Sequence, residues 1–164
     1  MPHLETLRPD HSAAVLAFER DNRTYFAAFI SDRGDQFFAE FDEWFDELLA
    51  EREARREAYY VLVDDDGSVL GRFNLYDIGD GSAEVGYRVA ERAAGRGVAT
   101  AGVLELCPLA VSEHGVRRLR AKTTHDNVAS QRVLVKAGFE VTGEADDVGG
   151  RRGIWFEREL PQPG

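Results

Sequence analysis

The residues with the clearest chemical potential lie between Tyr87 and Thr100, in the run Tyr87-Arg88-Val89-Ala90-Glu91-Arg92-Ala93-Ala94-Gly95-Arg96-Gly97-Val98-Ala99-Thr100. A strand here feeds a loop with two glycines, and the loop opens a helix. Glycine admits positive φ and close approach of a ligand to the backbone, while the free N–H groups of a helix start attract phosphate oxygens. Arg92 and Arg96 are placed to add charge-assisted bonds, and the Thr100 hydroxyl falls in the first helical turn. An ordinary strand-to-helix turn would also explain two glycines, so the loop alone is a weak signal. It has no Gly-Lys-Ser/Thr and lacks the three early glycines of a dinucleotide fingerprint, which removes the P-loop and Rossmann readings.

Other reactive types are sparse. Cys107, the only cysteine, sits beside Pro108 in Leu104-Glu105-Leu106-Cys107-Pro108-Leu109-Ala110 and reads as core packing. No Gly-x-Ser-x-Gly elbow occurs. His3, His11 and His114 lack metal-ligand spacing, and Asp64-Asp65-Asp66-Gly67 suits a hairpin turn better than a calcium loop. No metal is expected.

The elements that must position the loop follow from periodicity. A strand is expected over 3–8, then a helix capped by Asp10 or Ser12 with Ala14, Val15, Leu16 and Phe18 inward. From Asp35 to about Arg56 the apolar residues Phe37, Phe38, Phe41, Trp44, Phe45, Leu48 and Leu49 recur at helical spacing. Strands follow at 59–63, 68–76 and 83–89, turning at 64–67 and 79–81. Then come a helix from Gly97, a strand over 117–124, a helix over 127–137, and strands near 139–145 and 152–159. Pro108 should bend or end the first of these two helices. The order βααβββαβαββ gives a mixed α/β sheet of about seven strands with helices on both faces, because a parallel pair needs a helical crossover.

Bulk composition sets limits. The chain has 164 residues, 43% hydrophobic and 30% charged, so one domain over 1–164 is expected, ending in the tail Pro161-Gln162-Pro163-Gly164. A net charge of −10 disfavours nucleic acid and anionic membranes and suits a cationic or amine partner, though acidity also simply favours solubility. The start Met1-Pro2-His3-Leu4-Glu5 has no basic-then-apolar leader, and no apolar run approaches about 20 residues. A cytoplasmic location is expected.

Three separated stretches together resemble the GNAT superfamily, and its RimJ/RimL-like branch in particular. They are Arg92-x-x-Gly95-x-Gly97-Val98-Ala99-Thr100 preceded by Glu84-Val85-Gly86-Tyr87, then Asn127-x-x-Ser130-x-x-Val133-Leu134-x-Lys136-x-Gly138-Phe139, and Asn22-Arg23-x-Tyr25-Phe26. The resemblance covers nearly the whole chain in the family's order. It implies the GNAT fold, a V-shaped opening between two parallel strands, and acetyl-CoA as acetyl donor. Pantetheine would pair along Val85, Tyr87 and Val89, with the pyrophosphate on Arg92, Gly95 and Arg96 to Thr100.

Direct transfer to a primary amine needs a base, a stabilised oxyanion and a proton for the leaving thiolate. Glu84 matches the family's acidic position on the strand entering the opening, and a solvent-facing strand residue is the plain alternative. The family pattern sets Asn127 and Ser130 beside pantetheine and sulfur, with Ser130 near the thiolate; Asn127 would equally serve as a helix N-cap. His125 is an alternative base. The acceptor, a protein N-terminus or a small-molecule amine, is expected to touch Asn22, Tyr25, Phe26, Tyr76 and Asp77. A homodimer is a family-level expectation only. The competing class is a non-catalytic acyl-CoA-binding module, which would keep the loop without an effective base.

Overall fold

In the computed structural model residues 1–163 are described, so Gly164, the end of the expected tail, lies outside the described residues. The elements are β1 (His3–Thr6), α1 (Ser12–Asp21), α2 (Arg23–Ala27), α3 (Asp35–Ala39), α4 (Phe41–Glu51), β2 (Ala58–Val63), β3 (Val69–Gly79), β4 (Ser82–Val89), α5 (Val98–His114), β5 (Arg118–Thr124), α6 (Val128–Lys136), β6 (Glu140–Val148) and β7 (Arg151–Glu159). The seven strands form one sheet in the order β1-β2-β3-β4-β5-β7-β6. No helix is long and apolar enough to cross a membrane among the described residues.

Alternation along the central strands builds a core on each face. Ala58, Tyr60 and Leu62 of β2 join Phe73, Leu75 and Val85 against Val103 and Leu106 of α5 and Leu134 of α6. Tyr59, Val61 and Val63 point the other way, onto Val15, Phe18, Phe41 and Phe45 of the N-terminal helices. Every residue of β2 is buried, which is why it reads as a continuous apolar run.

Three local expectations change. The helix expected over 35–56 is stepped at Glu40 (φ −108°) and stops at Glu51, since Arg56 turns left-handed (φ 56°) to lead into β2. The step lets Phe37 lie edge-on to both Phe41 and Trp44. A short helix, α2, forms where none was expected, continuing from α1 through Asn22. Pro108 does not end α5, which runs on to His114 between the buried Leu106, Cys107 and Ala110; Gly115 (φ 65°) ends it instead. The β3–β4 turn has both central residues left-handed, Asp80 at 53° and Gly81 at 75°, the primed turn that matches strand twist.

β4 and β5 run parallel but pair only at Ser82↔Arg118, Ala83↔Leu119 and Glu84↔Arg120. Beyond Glu84 they separate, so the β5-facing backbone of Val85 to Val89 has no strand opposite it.

Candidate functional site

The separation of β4 and β5 opens a chamber of about 440 Å³. Its far wall is the loop expected from sequence: Gly95 and Gly97 both sit at φ 75° with open space where a Cβ would lie, and Gly97 caps α5. The N–H groups of Val98, Ala99 and Thr100 precede the first intrahelical bond, from Ala101 to Gly97, and have no helical acceptor. These residues line the chamber together with Tyr87 and Val89 of β4, Asn127 just before α6 and Ser130 within it. Free N–H groups at a helix start are suited to phosphate oxygens.

Other expected residues sit elsewhere. Arg92 turns its guanidinium to the Ser68 hydroxyl, 2.9 Å away in the β2–β3 turn. Arg96 is exposed and does not line the chamber, and the Val85 side chain is buried in the core. The chamber's cations are instead Arg88, Arg132 and Lys136. Arg132 and Lys136 share a helical face with Ala129 and Val133, the i, i+3, i+4, i+7 pattern, so the signal was present in the sequence.

Asn127 caps α6, its Oδ1 accepting from the Ser130 N–H at 3.2 Å. That leaves the Ser130 hydroxyl toward the chamber, 2.9 Å from the Tyr87 hydroxyl. Burial pushes the Tyr87 phenol up to about 12, so it stays protonated at neutral pH. His125 lies outside, 2.6 Å from Glu144 at the surface.

A second chamber, of about 460 Å³, lies on the face of the sheet covered by α1–α4, and Tyr87 and Arg88 border both. Strand register arranges its floor in rows: Arg72 opposite Arg88, Asn74 opposite Gly86, and Tyr76 opposite Glu84. Gly86 is required because the Tyr76 ring lies across it; a Cβ there would stand 2.9 Å from the ring. Glu84 falls in the row beyond, on the same strand face, and lines neither chamber. Glu57, at the mouth of β2 and hydrogen-bonded by the Tyr59 hydroxyl, is the carboxylate that does line the second chamber.

Of the expected acceptor contacts, Tyr76 lines the second chamber while Tyr25 and Phe26 line the first. Asn22 is a buried strut: its Nδ2 donates to the Phe18 carbonyl and its Oδ1 accepts from the Glu91 N–H. Asp77 is exposed at a bulge of β3 with φ 51°.

Residues 3–140 match the family model described as an acetyltransferase (GNAT) domain. The chain belongs to the GNAT acetyltransferase family. A probable N-acetyltransferase of Bacillus subtilis, YjcK, is 26% identical over 151 residues, spanning 88% of this chain and 83% of that protein. The ribosomal-protein-S5-alanine acetyltransferase of Vibrio fischeri superposes with a TM-score of 0.85 at 19% identity, covering 96% of this chain and 92% of that one. RimJ of Mycobacterium smegmatis, solved with CoA-disulfide, gives 0.82 at 21% identity over 95% and 80%. This acetyltransferase therefore shares its fold with protein N-acetylating enzymes of the RimJ type, and its two chambers meet where the GNAT strands diverge.

Proposed function

We propose that this acetyltransferase moves an acetyl group from acetyl-CoA to a primary amine by direct attack within a ternary complex. The observation that carries the reading is the pair of chambers sharing Tyr87 and Arg88. One is built for a phosphorylated donor and the other for an acceptor, with one strand between them. The donor supplies an activated acetyl group as a thioester. Val98 to Thr100 offer backbone N–H groups to its pyrophosphate, with Arg132 and Lys136 opposite. The unpaired edge of Val85 to Val89 offers amide partners to the pantetheine and a donor for the carbonyl oxygen.

On the acceptor side the amine must lose a proton before its nitrogen attacks the carbonyl carbon. Glu57 lines that chamber and takes the proton; Glu84, opposite Tyr76 and one row past Gly86, serves through water when the acceptor does not fill the space between. As the C–S bond breaks, the departing sulfur takes the second proton shed by the attacking nitrogen, relayed through the Tyr87–Ser130 hydroxyl pair. A thiol of pKa about 8.5 needs little more help.

Thermal unfolding with and without acetyl-CoA tests the donor site, since a ligand at 100 times its Kd adds about 2.7 kcal/mol. A shift lost in Gly97→Glu, together with amine-dependent release of free thiol, supports the reading. A shift without turnover on any amine would favour the acyl-CoA-binding module, and no shift would sink both.

A further inference from the structure

Three guanidinium groups that line the second chamber converge on one buried carboxylate, Glu19, which does not itself line it. Arg72 Nη1 and Arg33 Nη2 donate to Glu19 Oε1 at 3.0 and 3.1 Å, and Arg88 Nη1 donates to Oε2 at 3.3 Å. Glu19 and Arg72 are almost sealed from water, with side-chain exposures of 2% and 5%. Tying α1 to the sheet needs one such pair. Two further arginines leave a surplus of two positive charges, in a chain whose overall charge is −10.

That surplus faces the chamber. Arg33 and Arg88 keep 25% of their side chains exposed, and all three arginines line the cavity. Burial depresses the pKa of Arg72, and that of Arg88 to about 10, as happens when one carboxylate serves several cations in a dry place. Removing several charges from water is costly unless each finds a counter-charge; Glu19, Glu57 and the rings of Phe26, Phe37 and Trp44 beside the guanidinium groups offset part of that cost, and an added anion would offset more.

A second observation fixes the other end. Asn74 is 8% exposed, lines the same chamber, and its Oδ1 has no hydrogen-bond partner, while its Nδ2 donates to the Tyr76 hydroxyl at 2.9 Å. An unsatisfied acceptor calls for an N–H. Asn74 lies opposite Gly86, next to Tyr87 at the junction of the chambers, where the attacking nitrogen belongs. Arg72 is two residues away on β3, about 7 Å along the strand.

We infer that the acceptor is a small primary amine that itself carries a carboxylate or phosphate, the amine meeting Asn74 and the anion meeting Arg33, Arg72 and Arg88. The inference rests on the acetyl-transfer reading above. A spacing of about 7 Å corresponds to a few bonds between amine and anion. The chamber volume sits in the small-molecule range. Polyamines would set ammonium groups against arginines and are disfavoured by the same charges.

Rates of thiol release from acetyl-CoA with matched amines test this: β-alanine against propylamine, and phosphoethanolamine against ethanolamine. In each pair KM should be lower for the anionic member by roughly tenfold or more, the effect of one or two charge-assisted bonds. Arg33→Gln should erase most of that difference, Arg33→Lys should restore part of it, and stabilisation by acetyl-CoA should persist in both. Equal or better turnover of propylamine, ethanolamine or spermidine would overturn the inference, as would discrimination that survives Arg33→Gln. Acetylation confined to a peptide with an acidic second residue would overturn the small-molecule assignment. Thermal stabilisation by phosphoethanolamine without acetyl-CoA, present in the native chain and absent in Arg33→Gln, checks the anion site even if transfer fails. Its absence counts against the site.

Discussion

The Tyr87 hydroxyl lies 2.9 Å from Ser130 Oγ, joining β4 to α6 across the opening where the two parallel strands separate. Both hydroxyls belong to residues that line the first chamber. If they hydrogen-bond the leaving sulfur, Tyr87→Phe and Ser130→Ala should each lower kcat by about tenfold, with KM for acetyl-CoA changed less than about threefold. The double variant should be little worse than either single one, because the two groups act as a unit. Single-turnover rates check this; a double variant whose losses multiply would separate the two roles.

The same tyrosine carries a pH prediction. Burial raises the phenols of Tyr87, Tyr59 and Tyr60, with Tyr87 reaching about 12. Unfolded phenols ionise near pH 10, so the unfolded chain releases its protons first as pH climbs. Stability should be fully present below about pH 10 and fall as pH rises from about 10 through 12. Urea midpoints across that range should drop steeply, and Tyr87→Phe should make the slope shallower.

Glu19 holds three arginines, so removing its charge strands them. Glu19→Gln is expected to cost about 3–5 kcal/mol, the usual penalty for breaking a buried ion pair from one side. Glu19→Gln with Arg72→Met should recover a large part of it, because the most buried cation leaves with its partner. Denaturant melts of the four members of this cycle give the coupling; additive losses would show that Glu19 matters through packing alone.

Asn22 links α1 to the segment that leads into the Gly95–Gly97 loop, with one side-chain bond to Phe18 and one to the N–H of Glu91. Asn22→Ala leaves a partly buried N–H without its side-chain partner and should cost about 1 kcal/mol. It should also raise KM for acetyl-CoA, since Glu91 begins the turn that leads to Gly95. An unchanged KM beside lost stability would confine Asn22 to the fold.

The Gly95–Gly97 loop, Asn127 and Ser130 were legible as chamber-lining residues because their placement depends on local backbone: positive φ, a helix start and an N-cap are written in neighbouring residues. The second chamber was not legible. Glu19 lies on the inner face of α1 beside Phe18, where a charged residue gives no sign of its partners, and Arg33, Arg72 and Arg88 come from separate elements. Glu84 matched a family position in sequence, yet its distance from the chamber depends on the Tyr76 ring lying over Gly86, a cross-strand relation that only the register reveals. Arg92 does not line the first chamber for a similar reason: its partner, Ser68, is 24 residues away in a different turn.

Gly102 offers a test of how the helix start is held in place. An added Cβ would stand 2.2 Å from the Phe73 ring, which is fully buried and stacks on Tyr87 with centroids 5.8 Å apart. The close approach of α5 to the sheet therefore sets both the position of the Val98–Thr100 N–H groups and the tilt of Tyr87. Gly102→Ala gains helix propensity of about 1 kcal/mol but overpacks the core by about 1–3 kcal/mol, so overpacking decides the sign. The variant should be destabilised and bind acetyl-CoA more weakly. Adding Phe73→Leu should restore the packing room and part of the binding, measured by thermal unfolding with and without acetyl-CoA. If Gly102→Ala were instead more stable with donor binding intact, Phe73 would have to be free to turn aside, and the contact would not position the phosphate loop.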